Sequence, residues 1–123
     1  MNREEFEALV ADELDRLPTP FAEGLRNLQV VIEETPSRAL LRSLGLDPRK
    51  DTLFGLYEGV PLPERGFDDS GLLPDRISIF YRPLREACRT RRELQREVRT
   101  TLIHEIAHFL GMDDDEIDGF GYG

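Results

Sequence analysis

The chain has 123 residues, of which 39% are hydrophobic and 33% charged, which fits one compact globular domain and excludes a disordered chain. Its net charge of −9 argues against nucleic acid as a partner, and its single cysteine, Cys88, excludes an intrachain disulfide or a cysteine-based zinc cluster. The acidic first twenty residues do not read as a signal peptide. No apolar run approaches the roughly 20 residues that span a bilayer, so the expectation is a cytoplasmic protein without a membrane partner.

Residues 2–17 predict a helix. Asn2 is its N-cap and Glu4 and Glu5 lie in its first turn. Phe6, Leu9, Val10, Glu13, Leu14 and Leu17 trace one face at helical spacing, and Pro18 and Pro20 stop it. The β-branched run NLQVVIEE, residues 27–34, predicts a strand. Residues 37–44 predict one or two helical turns ended by Gly45, and TLFGLYEG, residues 52–59, a second strand weakened by Gly55. Residues 58–75 carry three prolines and three glycines and read as a long loop of the kind that is functional or disordered. RISIFYRPL predicts a third strand with Pro83 marking its end. Arg85 to Leu110 predicts helix with a break near Thr90, and Gly111 is its stop.

This order predicts an α+β domain spanning residues 1–123: a small mixed sheet of three or four strands packed on an N-terminal and a C-terminal helix. The segment from Arg85 to Arg99 holds six arginines against Glu86, Glu93 and Glu97. It reads as a solvated helix face with some Glu–Arg pairs. The same arginines are able to lower the Cys88 thiol pKa, although an ordinary helix thiol is the expected reading.

The only two histidines are His104 and His108, with Glu105 after the first. Residues four apart stand one above the other on a helix, so two imidazoles there can share one zinc ion at about 2.0–2.1 Å. Glu105 is rotated by about 100° and suits a base better than a ligand. On the helical wheel Val98, Leu102, Ile103, Ile106, Phe109 and Leu110 share one arc, while Glu97, Thr100, His104 and His108 lie opposite, away from the core. A third ligand is expected from Met112 onwards, after the Gly111 turn, or from a distant loop. Geometry modestly prefers Asp114, with Asp113, Asp115, Glu116 and Asp118 as competitors; the other reading of this run is a solvated acidic tail.

His104-Glu105-Ile106-Ala107-His108, followed by Gly111 and Asp114, matches the Asp-zincin pattern HExxHxxGxxD. With VRTTLIHEIAHFLGMDDDEID, LFGLYEGVPLPERG and LPDRISIFYRPL, the chain resembles the bacterial minimal zincin-like metallopeptidases, well over residues 50–118 and loosely before them. The resemblance implies a zinc metallopeptidase with Zn2+ as cofactor, His104, His108 and Asp114 as ligands, and Glu105 as general base on a zinc-bound water. It also implies that LFGLYEG is an edge strand bordering the cleft, where an extended peptide or protein substrate pairs, unless the 58–75 loop shields it. Tyr57, Tyr81 and Tyr122 are candidate oxyanion donors. Met112 lies too near the helix to serve as the Met-turn of the metzincins, so a protein partner or second copy is a candidate for closing the cleft. The alternative function is a non-catalytic zinc-binding or protein-interaction module that needs such a partner.

Overall fold

The structure, a computed structural model, describes residues 1–59 and 75–120. Helix α1 (Arg3–Asp15) begins where a capping box forms. Asn2 Oδ1 accepts from the Glu5 amide at 2.8 Å, and the Glu5 carboxylate accepts from the Asn2 amide in return. Phe21–Gly24 (α2) and a 3-10 turn over Leu25–Asn27 follow, and neither was expected from the sequence. Strand β1 (Gln29–Glu33) leads to α3 (Arg38–Ser43), capped by the Ser37 hydroxyl and ended by Gly45 at φ 78°.

Among the described residues, three strands form one mixed sheet in the order β1-β3-β2. β3 (Arg76–Phe80) is central, parallel to β1 and antiparallel to β2 (Gly55–Glu58). Residues 60–74, most of the expected loop, lie outside the described residues, as does Tyr122.

The third strand is shorter than its sequence suggests. After Phe80 the chain turns at once into α4 (Tyr81–Ala87), so Tyr81 to Leu84 are helical and Pro83 does not close a strand. Pro83 is the third residue of that helix, where a backbone amide has no intrahelical partner to lose. The break near Thr90 is present: Thr90 caps α5 (Arg91–Leu110) through its hydroxyl at 3.1 Å from the Glu93 amide. Gly111, at φ 77°, ends α5 as expected.

The core lies between the sheet, α1 and α5. Phe6, Leu9 and Val10 meet Ile77 and Ile79 of β3 and Leu94, Val98, Leu102 and Ile106 of α5. Ion pairing from the arginine-rich segment reaches across the fold. Arg99 Nε bonds Glu13 Oε2 of α1 at 2.9 Å, and that Glu13 side chain is only 2% exposed. A buried carboxylate on the apolar face of α1 is thus paired with a guanidinium of α5. No helix among the described residues is long and apolar enough to cross a membrane.

Candidate metal centre

Two long-range approaches dock β2 against α5. Gly55 is the first. A Cβ on it would stand 2.6 Å from Thr101 Cγ2 and 3.1 Å from the Ser78 carbonyl, so only glycine lets β2 lie this close to α5. The residue that weakens the strand on propensity alone is the one that docks it. The second is the ring of Tyr57, which packs edge-on to Phe109 of α5 at 5.8 Å between centroids.

On α5 the wheel reading holds. Val98, Leu102, Ile103, Ile106 and Phe109 are buried, His104 and Glu105 are half-buried, and His108 is exposed. Among the described residues β2 is an edge of the sheet, as the resemblance implied, and it borders this face. The register pairs Leu56 with Ser78 and Tyr57 with Ile77, and the Phe80 amide donates to the Phe54 carbonyl. Antiparallel pairs alternate, so Phe54, Leu56 and Glu58 bond to β3 while Gly55 and Tyr57 turn their backbone groups outward.

The outward Tyr57 amide donates to Glu105 Oε1 at 2.7 Å. The same oxygen lies 3.5 Å from His108 Nδ1. Glu105 therefore bridges the edge strand and the second histidine. Its hydrogen bond raises the His108 pKa most, its charge and that of Asp114 add to this, and partial burial opposes them. With Nδ1 facing Glu105, His108 has Nε2 to offer a metal, which is how a carboxylate commonly fixes the tautomer of a ligating histidine.

Beyond Gly111 the acidic residues Asp113 to Glu116 and Asp118 are exposed, as a solvated run would be, but the backbone is ordered. It forms α6 (Asp114–Gly119), seated by buried Ile117. Asp113 caps it, accepting from the Glu116 amide at 2.8 Å, while Glu116 Oε1 accepts from the Asp113 amide at 3.3 Å. Two of the five competing carboxylates are thus engaged in a capping box, a pairing readable as D-x-x-E in the sequence but passed over there. Asp114, at the first helical position, is exposed and close enough for its charge to act on His108.

The donor chemistry, two imidazoles one turn apart and a carboxylate after a glycine reversal, suits zinc. Among the described residues, however, no three His, Cys, Asp or Glu side chains are gathered into a group that could hold a metal ion. Glu105 faces Tyr57 and His108, and Asp114 is carried by the first turn of α6.

Of the tyrosines, Tyr81 is buried and donates to the Met1 carbonyl at 2.7 Å, on the α1 side of the core. Tyr57 directs its hydroxyl to Asp75 Oδ1 at 2.9 Å. Cys88 does not have the lowered pKa that its arginine neighbours suggest. Burial, then the charges of Glu97 and Glu93, push its thiol up.

A solved structure similar to this one is a conserved hypothetical protein from Thermo thermophilus. It is 26% identical, with 97% of this chain and 99% of that one covered, at a TM-score of 0.56. No curated protein matches the chain. The sequence profile of the zincin-like metallopeptidases matches residues 25–122, which include both strands at the site and the whole of α5 and α6. By that match, over most of its length, the chain belongs to the zincin-like metallopeptidase family.

Proposed function

We propose that this protein is a zinc-dependent peptidase that hydrolyses peptide bonds, with His104, His108 and Asp114 as the zinc ligands and Glu105 as the general base. The observation that carries the reading is Glu105 itself. It stands between His108 and an edge-strand amide, within a chain of the zincin-like family. A purely structural zinc site has no need of a base and closes its fourth position with a protein ligand.

A zinc ion held there would supply the positive charge that lowers the pKa of a water to about 7 and polarises the scissile carbonyl. Glu105 takes the proton of that water on its carboxylate and passes it to the departing amine. Without substrate, the Tyr57 amide holds that carboxylate beside the edge strand. The outward backbone groups of Gly55 and Tyr57 give an extended peptide a strand to pair with. The substrate is a peptide or protein segment, and a partner protein or second copy is the candidate for the opposite wall of the cleft.

The test measures zinc per chain in wild type and Asp114→Ala, and cleavage of a broad peptide library by wild type and Glu105→Gln. Wild type is expected to hold one zinc and Asp114→Ala to lose it. Glu105→Gln is expected to keep zinc and lose cleavage by at least about a hundredfold, the usual scale for a general base. Full zinc in Asp114→Ala refutes the ligand assignment, and zinc-loaded wild type that cleaves nothing refutes the peptidase.

A further inference from the structure

The bond between Glu105 and Tyr57 has a chemical consequence for substrate binding. A backbone N–H carries one hydrogen and makes one good hydrogen bond. The Tyr57 amide is an outward-facing donor of β2, and Glu105 Oε1 takes it at 2.7 Å. An extended peptide adding to that edge needs the same donor for one of its own carbonyls, because strand addition is made of main-chain bonds to alternate outward residues. Carboxylate and substrate carbonyl cannot both have it.

We infer that the Tyr57 main chain is a positioning group for Glu105, and that peptide binding along β2 displaces the Glu105 carboxylate from the Tyr57 amide. This rests on the peptidase reading above. Before substrate arrives, the base is tethered to the strand; when the edge is occupied, His108, 3.5 Å away, is the partner left to Glu105. Arrival of an extended segment thus frees the base, whereas a small molecule or a water alone leaves it tethered. The tether also competes with binding. A charge-assisted bond is stronger than the neutral bond that replaces it, so every peptide pairing at this amide is weakened by the exchange. Specificity for extended segments follows from the main chain, with no side-chain pocket required.

The experiment uses the full chain, metal-free, so neither readout depends on hydrolysis. Amide hydrogen exchange is followed at Tyr57 in wild type, Glu105→Gln and Glu105→Ala. The Leu56 and Glu58 amides, which face β3, report that the sheet is intact. Protection at Tyr57 is expected to fall by about tenfold or more in Glu105→Ala, and less in Glu105→Gln, whose amide oxygen still accepts. Unchanged protection at Leu56 and Glu58 separates this from unfolding.

Binding of an uncharged, end-blocked hexapeptide of alternating threonine and valine is then read from the Gly55 and Tyr57 amide shifts. Glu105→Ala is expected to bind it about three- to tenfold more tightly than wild type, with Glu105→Gln between them. A structural role for Glu105 predicts weaker binding on its removal. Equal Tyr57 exchange in wild type and Glu105→Ala overturns the tether, and equal or weaker peptide binding by Glu105→Ala overturns the displacement. Failure of the peptidase reading shows elsewhere, as zinc-loaded protein that cleaves no peptide.

Discussion

Gly55→Ala tests how the edge strand is held on α5. The added Cβ meets Thr101 Cγ2 at 2.6 Å, the Ser78 carbonyl at 3.1 Å and Ile79 Cδ1 at 3.3 Å. Thr101 is buried, β-branched and fixed in a helix, so it cannot swing aside. An ordinary carbon–carbon contact is about 3.5–4.0 Å, so β2 must lift from α5 by about 1 Å. Overpacking of this kind costs about 1–3 kcal/mol, and replacing a strand glycine returns up to about 1 kcal/mol of backbone entropy. The net expectation is a loss of about 1–2 kcal/mol, seen as a lower urea midpoint with unchanged slope.

The same lift stretches the 2.7 Å bond from the Tyr57 amide to Glu105 beyond hydrogen-bonding range. Gly55→Ala should therefore lose Tyr57 amide protection as well as stability. Thr101→Ser removes the methyl that is struck. Alone it costs about 1 kcal/mol for a buried methyl, but in Gly55→Ala it should restore part of both stability and protection, a favourable coupling in a double-mutant cycle. Gly55→Ala within about 0.5 kcal/mol of wild type, or a double mutant that is merely additive, refutes the close-approach argument.

Arg99→Ala leaves the buried Glu13 carboxylate without its cation. Because Arg99 itself is 41% exposed and water can reach the gap, the expected loss is about 1–3 kcal/mol, less than for a fully enclosed pair. A double mutant Arg99→Ala with Glu13→Leu should recover most of it by urea denaturation. Glu34 is bonded by both Arg3 and Arg82, which hold its carboxyl below the usual range. A lowered folded-state pKa gives stability that is complete above the unfolded value and is lost as pH falls through the folded one. The small stability difference between wild type and Glu34→Gln should therefore vanish on acidification; a difference that grows instead refutes the sign. The Cys88 thiol, pushed up by burial, Glu97 and Glu93, should react with iodoacetamide more slowly than free cysteine near neutral pH and accelerate as pH rises. A rate exceeding that of free cysteine would show that the arginines dominate after all.

Local rules account for what the sequence by itself determined. The Asn2 cap, the break near Thr90, the Gly111 stop and the apolar arc of α5 depend on groups within four residues of one another. So does the placement of His104 and His108 on one face away from the core, which is why their shared helix face was legible without coordinates. The fold class was legible too, because a short β-branched run and a long amphipathic run each leave one face to bury.

What only the tertiary structure decided is what lies between residues far apart in the chain. No periodicity reports that Tyr57 and Glu105, 48 residues apart, share a bond, or that Arg99 reaches Glu13 across 86 residues. Gly55 read as a defect in a strand because its reason, the approach of Thr101, belongs to another element. RISIFYRPL read as one strand because its apolar run outlasts the strand: Tyr81 and Leu84 stay buried after the backbone turns helical. Burial pattern alone does not distinguish those two backbones over so short a stretch. The shared face of His104 and His108 is set by local spacing; the strand bonded to Glu105 beside them is set by packing, since only close contact of β2 with α5 brings an outward amide within its reach.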